Sequence, residues 1–461
     1  MVFAFVTAVF GLLLWKIVKW TWNSRYLVSW RQSNSMVSEL ENDLGNVTSP
    51  ASVNNTLVHG RSDSRRKLKE RVKAVDTFRG ISIAMMIFIN YGGGGYWIFD
   101  HSPWNGLTVA DLVFPWFAWI MGVSASLFLR SQLRNTTSRK KLFGHILRRS
   151  LLLVLVGVAL NTFGGYRNGL QNIRVLGVLQ RLGLSYLAVA SLEAIFMKPQ
   201  RMVISGFCMN IEDILECWKQ WVVVISLVTC HACLTFLLKV PDCPLGYLGP
   251  GGLHNLGKHE NCTGGAAGYV DRAILGEKHL YQRPTCQKIY KTSIPFDPEG
   301  ILGTLTTILL VFLGVQAGRI LMTYGNSASR IVRWSIWSVL TGLIAGFLCN
   351  FSKEEGIIPV NKNLWSLSYV LSTASMAFLL FAILFYTIDI RNWWDGRPFS
   401  YAGLNPILLY VGHCLTKNMF PWFWEPFYNS HGELLAMNMW ATALWITISY
   451  CLFHYNVFLS L

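Results

Sequence analysis

Residues 107–129 read LTVADLVFPWFAWIMGVSASLFL, a run whose one ionisable side chain is Asp111. About 20 apolar residues wound as a helix match the hydrocarbon core of a bilayer. Arg130 to Arg149 follows with Arg134, Arg139, Lys140, Lys141, Arg148 and Arg149, and a basic loop of this kind marks the cytoplasmic side. Outward from this stretch, comparable runs recur near 80–99, 151–163, 175–196, 221–238, 301–321, 335–351, 366–386, 402–415 and 440–458. With the apolar segment 2–15 they predict an all-α, polytopic transmembrane helical bundle of about eleven spans.

Composition agrees. Of 461 residues, 52% are hydrophobic and 14% charged, against about 25% charged in an ordinary soluble domain, which excludes a soluble enzyme. The net charge of +16 is partly what basic cytoplasmic loops produce, so it does not imply nucleic acid; the remainder suits an anionic substrate or a phosphorylated co-substrate. None of the ten cysteines has zinc-site spacing, and no metal is expected. Cys230 and Cys233 form a CxxC inside an apolar run, where packing is the better reading. Gly252 to Lys258 imitates a phosphate-binding loop, but His259 replaces the hydroxyl residue and no strand precedes it.

The predicted organisation has three parts. Residues 1–22 form a retained anchor, because Lys16 and Lys19 follow the apolar run and no small-residue cleavage site appears. Residues 23–75 form a polar cytosolic linker, and 76–461 a transmembrane domain with a long loop at 240–300 on the opposite face. An odd span count puts the N-terminus outside and the C-terminus in the cytosol. The loop carries the sequon Asn261-Cys262-Thr263 together with Cys243 and Cys286, as suits a glycosylated, oxidising compartment. Cys243 and Cys262 are the disulfide candidates. Sequons at Asn46, Asn54 and Asn135 fall on the cytosolic side, where chance explains them. No internal repeat is visible, which weakens an inverted-repeat transporter.

Candidate chemistry clusters between Asp76 and Asp111. Gly92 to Gly95 interrupt an apolar hairpin; each glycine costs a helix about 1 kcal/mol relative to alanine, so the chain is expected to break there, and broken backbone at membrane depth needs a surrounding pocket. The bend could bring Asn90 towards His101. An ionisable group at bilayer depth marks a site by default, so Asp111 is a candidate, weighed against a plain ion pair or cap. A neutral His101 beside it could act as nucleophile or general base, the carboxylate fixing its tautomer. Arg181, next to Gln180 in a span, needs an anionic partner or a ligand phosphate. Asn405 and His413 share another span, where packing is the better reading of His413.

At TFRGISIAMMIFINYGGGGYWIFDHSPWNGLTVADLVFPWF the chain resembles the heparan-alpha-glucosaminide N-acetyltransferase family, as it does at GVLQRLG, GYLGPGGL, NCTGGAAGYVDR, DPEGILGT, FLGVQAG and PVNKNLWSLSYV. The resemblance implies a lysosomal membrane enzyme that moves acetyl from cytosolic acetyl-CoA to the terminal glucosamine of heparan sulfate, built as a homodimer. It implies His101 as the active-site histidine, Asn90 beside it and Asp111 in the same motif. Arg79, Arg181, Gln180 and Asn405 are expected to meet the co-substrate, or, for the arginines, to form helix ion pairs. Vertebrate members carry a lumenal domain before the first span, whereas this sequence starts almost at that span. An acyltransferase with another acceptor, or an anion transporter, are the rival readings. An imidazole of ordinary pKa, about 6.5, is mostly protonated in an acidic lumen, so burial and a nearby carboxylate would pull His101 in opposite directions.

Overall fold

The computed structural model describes residues 72–135, 138–163, 173–198 and 210–459; the expected anchor and most of the linker lie outside them. The described chain is helical, with one isolated antiparallel bridge between Asn105 and Asn361 and no strand. The main helices are α1 (Lys73–Asn90), α2 (Val109–Arg134), α3 (Arg139–Phe163), α4 (Val178–Phe196), α5 (Trp218–Leu237), α6 (Gly265–Leu275), α7 (Ile301–Thr323), α8 (Ser327–Leu348), α9 (Leu367–Leu384), α10 (Phe399–Leu404), α11 (Pro406–Thr416) and α12 (His431–His454).

Among the described residues, eight helices are long and apolar enough to cross a membrane: α2, α3, α4, α5, α7, α8, α9 with its extension to Ile390, and α12. Two expected spans differ in form. The one anticipated at 80–99 is α1, which begins at Lys73 and stops at Asn90. The one at 402–415 is divided into α10 and α11 at Asn405, because Pro406 has no N–H to carry a helix through.

Packing is densest around α2 and α7. A Cβ on Gly122 would strike the Val311 carbonyl, and one on Gly314 would strike that of Trp119, so two glycines let these backbones approach closely. Small residues do this work between membrane helices, where lipid removes any hydrophobic drive to associate. Around the contact sit Phe78, Trp119, Phe378 and Phe381, all fully buried. By contrast, α5 buries only Gln220, Val224 and His231. That corrects the packing expected of Cys230 and Cys233, which are exposed: an outer helix turns most of its surface away from the protein.

At one end of the bundle three connections meet. Residues 91–108 touch 240–300 through Trp104, whose indole donates to Leu248 O (2.9 Å), and through a cluster of Trp104, Cys286, Phe296 and Leu364. Cys243 and Cys262 are joined by a disulfide within 240–300, and Asn261 beside it is exposed.

Candidate functional site

The break at the glycines is present. Gly92, Gly93, Gly94 and Gly95 have φ of 120°, 57°, 71° and 71°, a region that L side chains avoid. The turn docks on the start of α12, where His431 Nδ1 donates to Gly94 O (3.1 Å) and its ring stacks on Tyr96. From there the chain runs through Asp100 and His101 to α2.

Asp111 lies at the third position of α2, shallower than its place in the apolar run suggested. It closes the first turn of the helix: its Oδ2 accepts the N–H of Thr108 (3.2 Å), the Thr108 hydroxyl (3.0 Å) and the N–H of Ser102 (3.1 Å). A carboxylate there is favoured by the unpaired N–H groups and the dipole of the helix start. The remaining oxygen, Oδ1, lies 2.9 Å from His101 Nδ1. Asp111 is fully buried, while the His101 side chain is 38% exposed. A buried, multiply bonded carboxylate therefore orients an accessible imidazole, and no group among the described residues bonds the outer nitrogen, Nε2. Behind the pair, the Tyr369 hydroxyl of α9 donates to the Asp111 carbonyl (2.6 Å).

A residue that sequence reasoning missed completes the site. Lys362 Nζ lies 2.8 Å from His101 Nδ1 and 3.5 Å from Asp111 Oδ1, its side chain 15% exposed. The turn carrying it is pinned to the His101 loop by Asn361 Nδ2 to Asn105 Oδ1 (3.0 Å), Asn363 Nδ2 to Pro103 O (3.2 Å) and Gly106 N–H to Val360 O (2.8 Å). Trp365 in this turn has φ of 50°, an uncommon conformation for a bulky residue and the kind of strain that collects at functional sites. Burial pushes the Lys362 ammonium below its ordinary pKa, and Asp111 and Glu299 pull it back. Nothing in the string NKN distinguishes this lysine locally; the only signal is the family-like string PVNKNLWSLSYV around it.

Beside this turn is a buried charge cluster, also unforeseen. Arg174 forks onto Asp297 (2.8 and 2.7 Å) and reaches Glu299 (2.6 Å). Burial pushes Glu299 up, but Arg174, Arg181 and Lys362 outweigh it and hold Glu299 below its ordinary value. Arg181 is buried, donates to Gly300 O (2.8 Å) and lies over the Trp365 ring at 4.6 Å. Burial raises Asp271 to about 7 even though it accepts the Ile301 N–H (2.8 Å).

Other expected site residues fall elsewhere. Asn90 donates to His413 Nε2 (2.9 Å), so its amide serves that ring and not the Asp111–His101 pair. Arg79 takes the ion-pair alternative, lying 3.5 Å from Asp76 and donating to Gly403 O and the Ser124 hydroxyl. Asn405 is buried, and both ends of its amide hold the C-terminal segment, through Val457 O (3.0 Å) and Leu459 N–H (2.7 Å). Gln180 is buried against Gly157 and Gly177, with neither amide atom hydrogen-bonded among the described residues.

No protein-family model matches the chain. A mouse heparan-alpha-glucosaminide N-acetyltransferase is 44% identical over 443 residues, which is 95% of this chain and 66% of the relative. Its human counterpart is 48% identical over 397 residues, 85% of this chain and 60% of the relative. This chain is a relative of the heparan-alpha-glucosaminide N-acetyltransferases. It spans somewhat less than two thirds of their length. A match over 95% of this chain takes in His101 and Asp111. Among the described residues no cluster of His, Cys, Asp or Glu could hold a metal ion.

Proposed function

We propose that this protein moves an acetyl group across the lysosomal membrane, from cytosolic acetyl-CoA to the terminal glucosamine amine of heparan sulfate in the lumen. The observation that carries the reading is the pairing of His101 Nδ1 with buried Asp111 (2.9 Å) on a partly exposed side chain whose Nε2 has no partner among the described residues, in a chain similar to named acetyltransferases. With Nδ1–H donating to Asp111, Nε2 presents a lone pair, and the carboxylate stabilises the cation that forms when that lone pair is used.

Two routes use this lone pair. In one, Nε2 attacks the thioester carbonyl, the CoA thiolate leaves, and the acetyl-imidazole then acylates the glucosamine amine. In the other, the amine attacks the thioester directly while Nε2 removes its proton. Single-turnover mixing with acetyl-CoA alone separates them: acetyl on His101 supports the first, and full turnover without it supports the second. Arg181 is buried and already donates to Gly300 O, so the arginine is assigned first to the fold and only then to the CoA phosphates. The lumenal placement of 240–300, glycosylation at Asn261, the anchor at 1–22, the linker at 23–75, the opposed termini and a homodimer belong to the same proposal.

The deciding experiment is acetyl transfer by purified protein in detergent, where no compartments exist. Acetylglucosamine formed from acetyl-CoA and glucosamine supports the enzyme; no product from monodisperse protein, with solute flux in vesicles, supports an anion transporter. Acceptor profiling tests heparan-derived glucosamine against other amines and hydroxyls.

A further inference from the structure

His101 Nδ1 faces two groups that cannot both bond it. Asp111 Oδ1 at 2.9 Å can only accept, so that contact needs a hydrogen on Nδ1; the Lys362 ammonium at 2.8 Å can only donate, so that contact needs Nδ1 bare. The two claims fix opposite tautomers. With Asp111 the ring presents a lone pair at Nε2, and with Lys362 it presents an N–H there.

We propose that Lys362 is a positioning residue that contends with Asp111 for His101 Nδ1, keeping the ring uncharged and setting which nitrogen bears the hydrogen. This rests on the reading of His101 as the reacting group. Lys362 Nζ is 3.5 Å from Asp111 Oδ1, so a small swing of the side chain carries the ammonium from the ring to the carboxylate. The ring, 38% exposed, is accessible enough to exchange through water: Nε2 gives up a hydrogen, Nδ1 takes one, and the lone pair is left on Nε2. Backbone motion is not needed, since the turn is fixed to the His101 loop at Asn361, Asn363 and Val360.

Charge works in the same direction. Asp111 alone would favour imidazolium, which is useless as base or nucleophile, and an adjacent ammonium opposes that. The other charged groups about this pair are Asp100 on the same loop, Lys353 against Gly106, and Glu299 and Arg181 beyond Lys362. Lys362 alone among them is within hydrogen-bond distance of the ring.

The test compares Lys362→Met and Lys362→Gln with Lys362→Arg in the purified full chain. For acetyl transfer from acetyl-CoA to glucosamine, the acidic limb of the kcat/KM profile should move to higher pH by about one unit in the neutral variants, a roughly tenfold rate loss on the limb. On the alkaline side these variants should recover to within a few-fold, and Lys362→Arg should keep the limb in place. Carbethoxylation of His101 by diethyl pyrocarbonate, followed by peptide mass spectrometry, should show the same displacement without turnover. An unmoved carbethoxylation profile in both neutral variants overturns the proposal. If instead His101→Gln retains transfer, the reading of His101 falls, while the carbethoxylation arm still judges Lys362.

Discussion

Two histidines near the same end of the bundle are held in opposite ways. His413 on α11 is 1% exposed, with Nδ1 donating to Leu409 O (3.0 Å) and Nε2 accepting from Asn90 (2.9 Å). Both nitrogens are occupied and the tautomer is fixed by backbone and amide. His101 lies on a loop, is oriented through Nδ1 alone, and among the described residues keeps Nε2 free of partners. A saturated ring stiffens the protein, and a half-saturated ring can exchange protons or take an acyl group. Burial and a carboxylate neighbour separate the two rings as well, and the count of used nitrogens says which of them has a nitrogen left for chemistry.

The strongest way to break this comparison is His101→Ala. Loss of acetyl transfer by at least about 10³-fold is expected, with an unchanged elution profile and unfolding midpoint; retained activity would erase the distinction between the rings. Asp111→Asn should follow, at about 10²- to 10³-fold in kcat, because an amide can present its N–H to Nδ1 and favour the tautomer that lacks a lone pair at Nε2. A variant matching wild type would show that the carboxylate serves only the start of α2.

Asp271 sharpens the contrast by pH. Its folded pKa of about 7 exceeds its ordinary value, so the folded state binds the proton more tightly than the unfolded one. Its stabilising contribution is whole below the unfolded pKa and disappears as pH rises through about 7, a change on the order of a few kcal/mol. Asp271→Asn should therefore raise the thermal midpoint relative to wild type more at pH 8 than at pH 5; equal differences at both would refute the burial argument. The smallest effect belongs to Asn90→Ala. Leaving His413 Nε2 buried with only the weak Cys414 thiol (3.6 Å) as donor should cost about 1–3 kcal/mol of stability, with a fall in kcat at least tenfold smaller than that of Asp111→Asn. Kinetic loss equal to that of His101→Ala would join the two regions into one site.

Much of the fold was legible because bilayer thickness and basic loops impose simple rules on sequence. The glycine break was legible as well, since four consecutive glycines favour no helix and all four take positive φ. Partners were not legible. Asn90 is eleven positions from His101 yet pairs with His413 from another helix, and Asn405, an expected co-substrate contact, has its amide taken up by the C-terminal segment. Depth in an apolar run is what marks Asp111 in the sequence, although its position at a helix start is what makes it tolerable there.

What the sequence by itself determined is the class of molecule and the one motif in which glycines, a histidine and an aspartate stand within twenty residues. Hydrophobic length and glycine's φ freedom are local properties that survive without a partner. Tertiary structure alone brought Lys362 from over 250 residues away to 2.8 Å of the imidazole, and set Arg174 against Asp297 and Glu299. Charge pairing acts through space and falls off within a few ångströms, so no spacing along the chain records it.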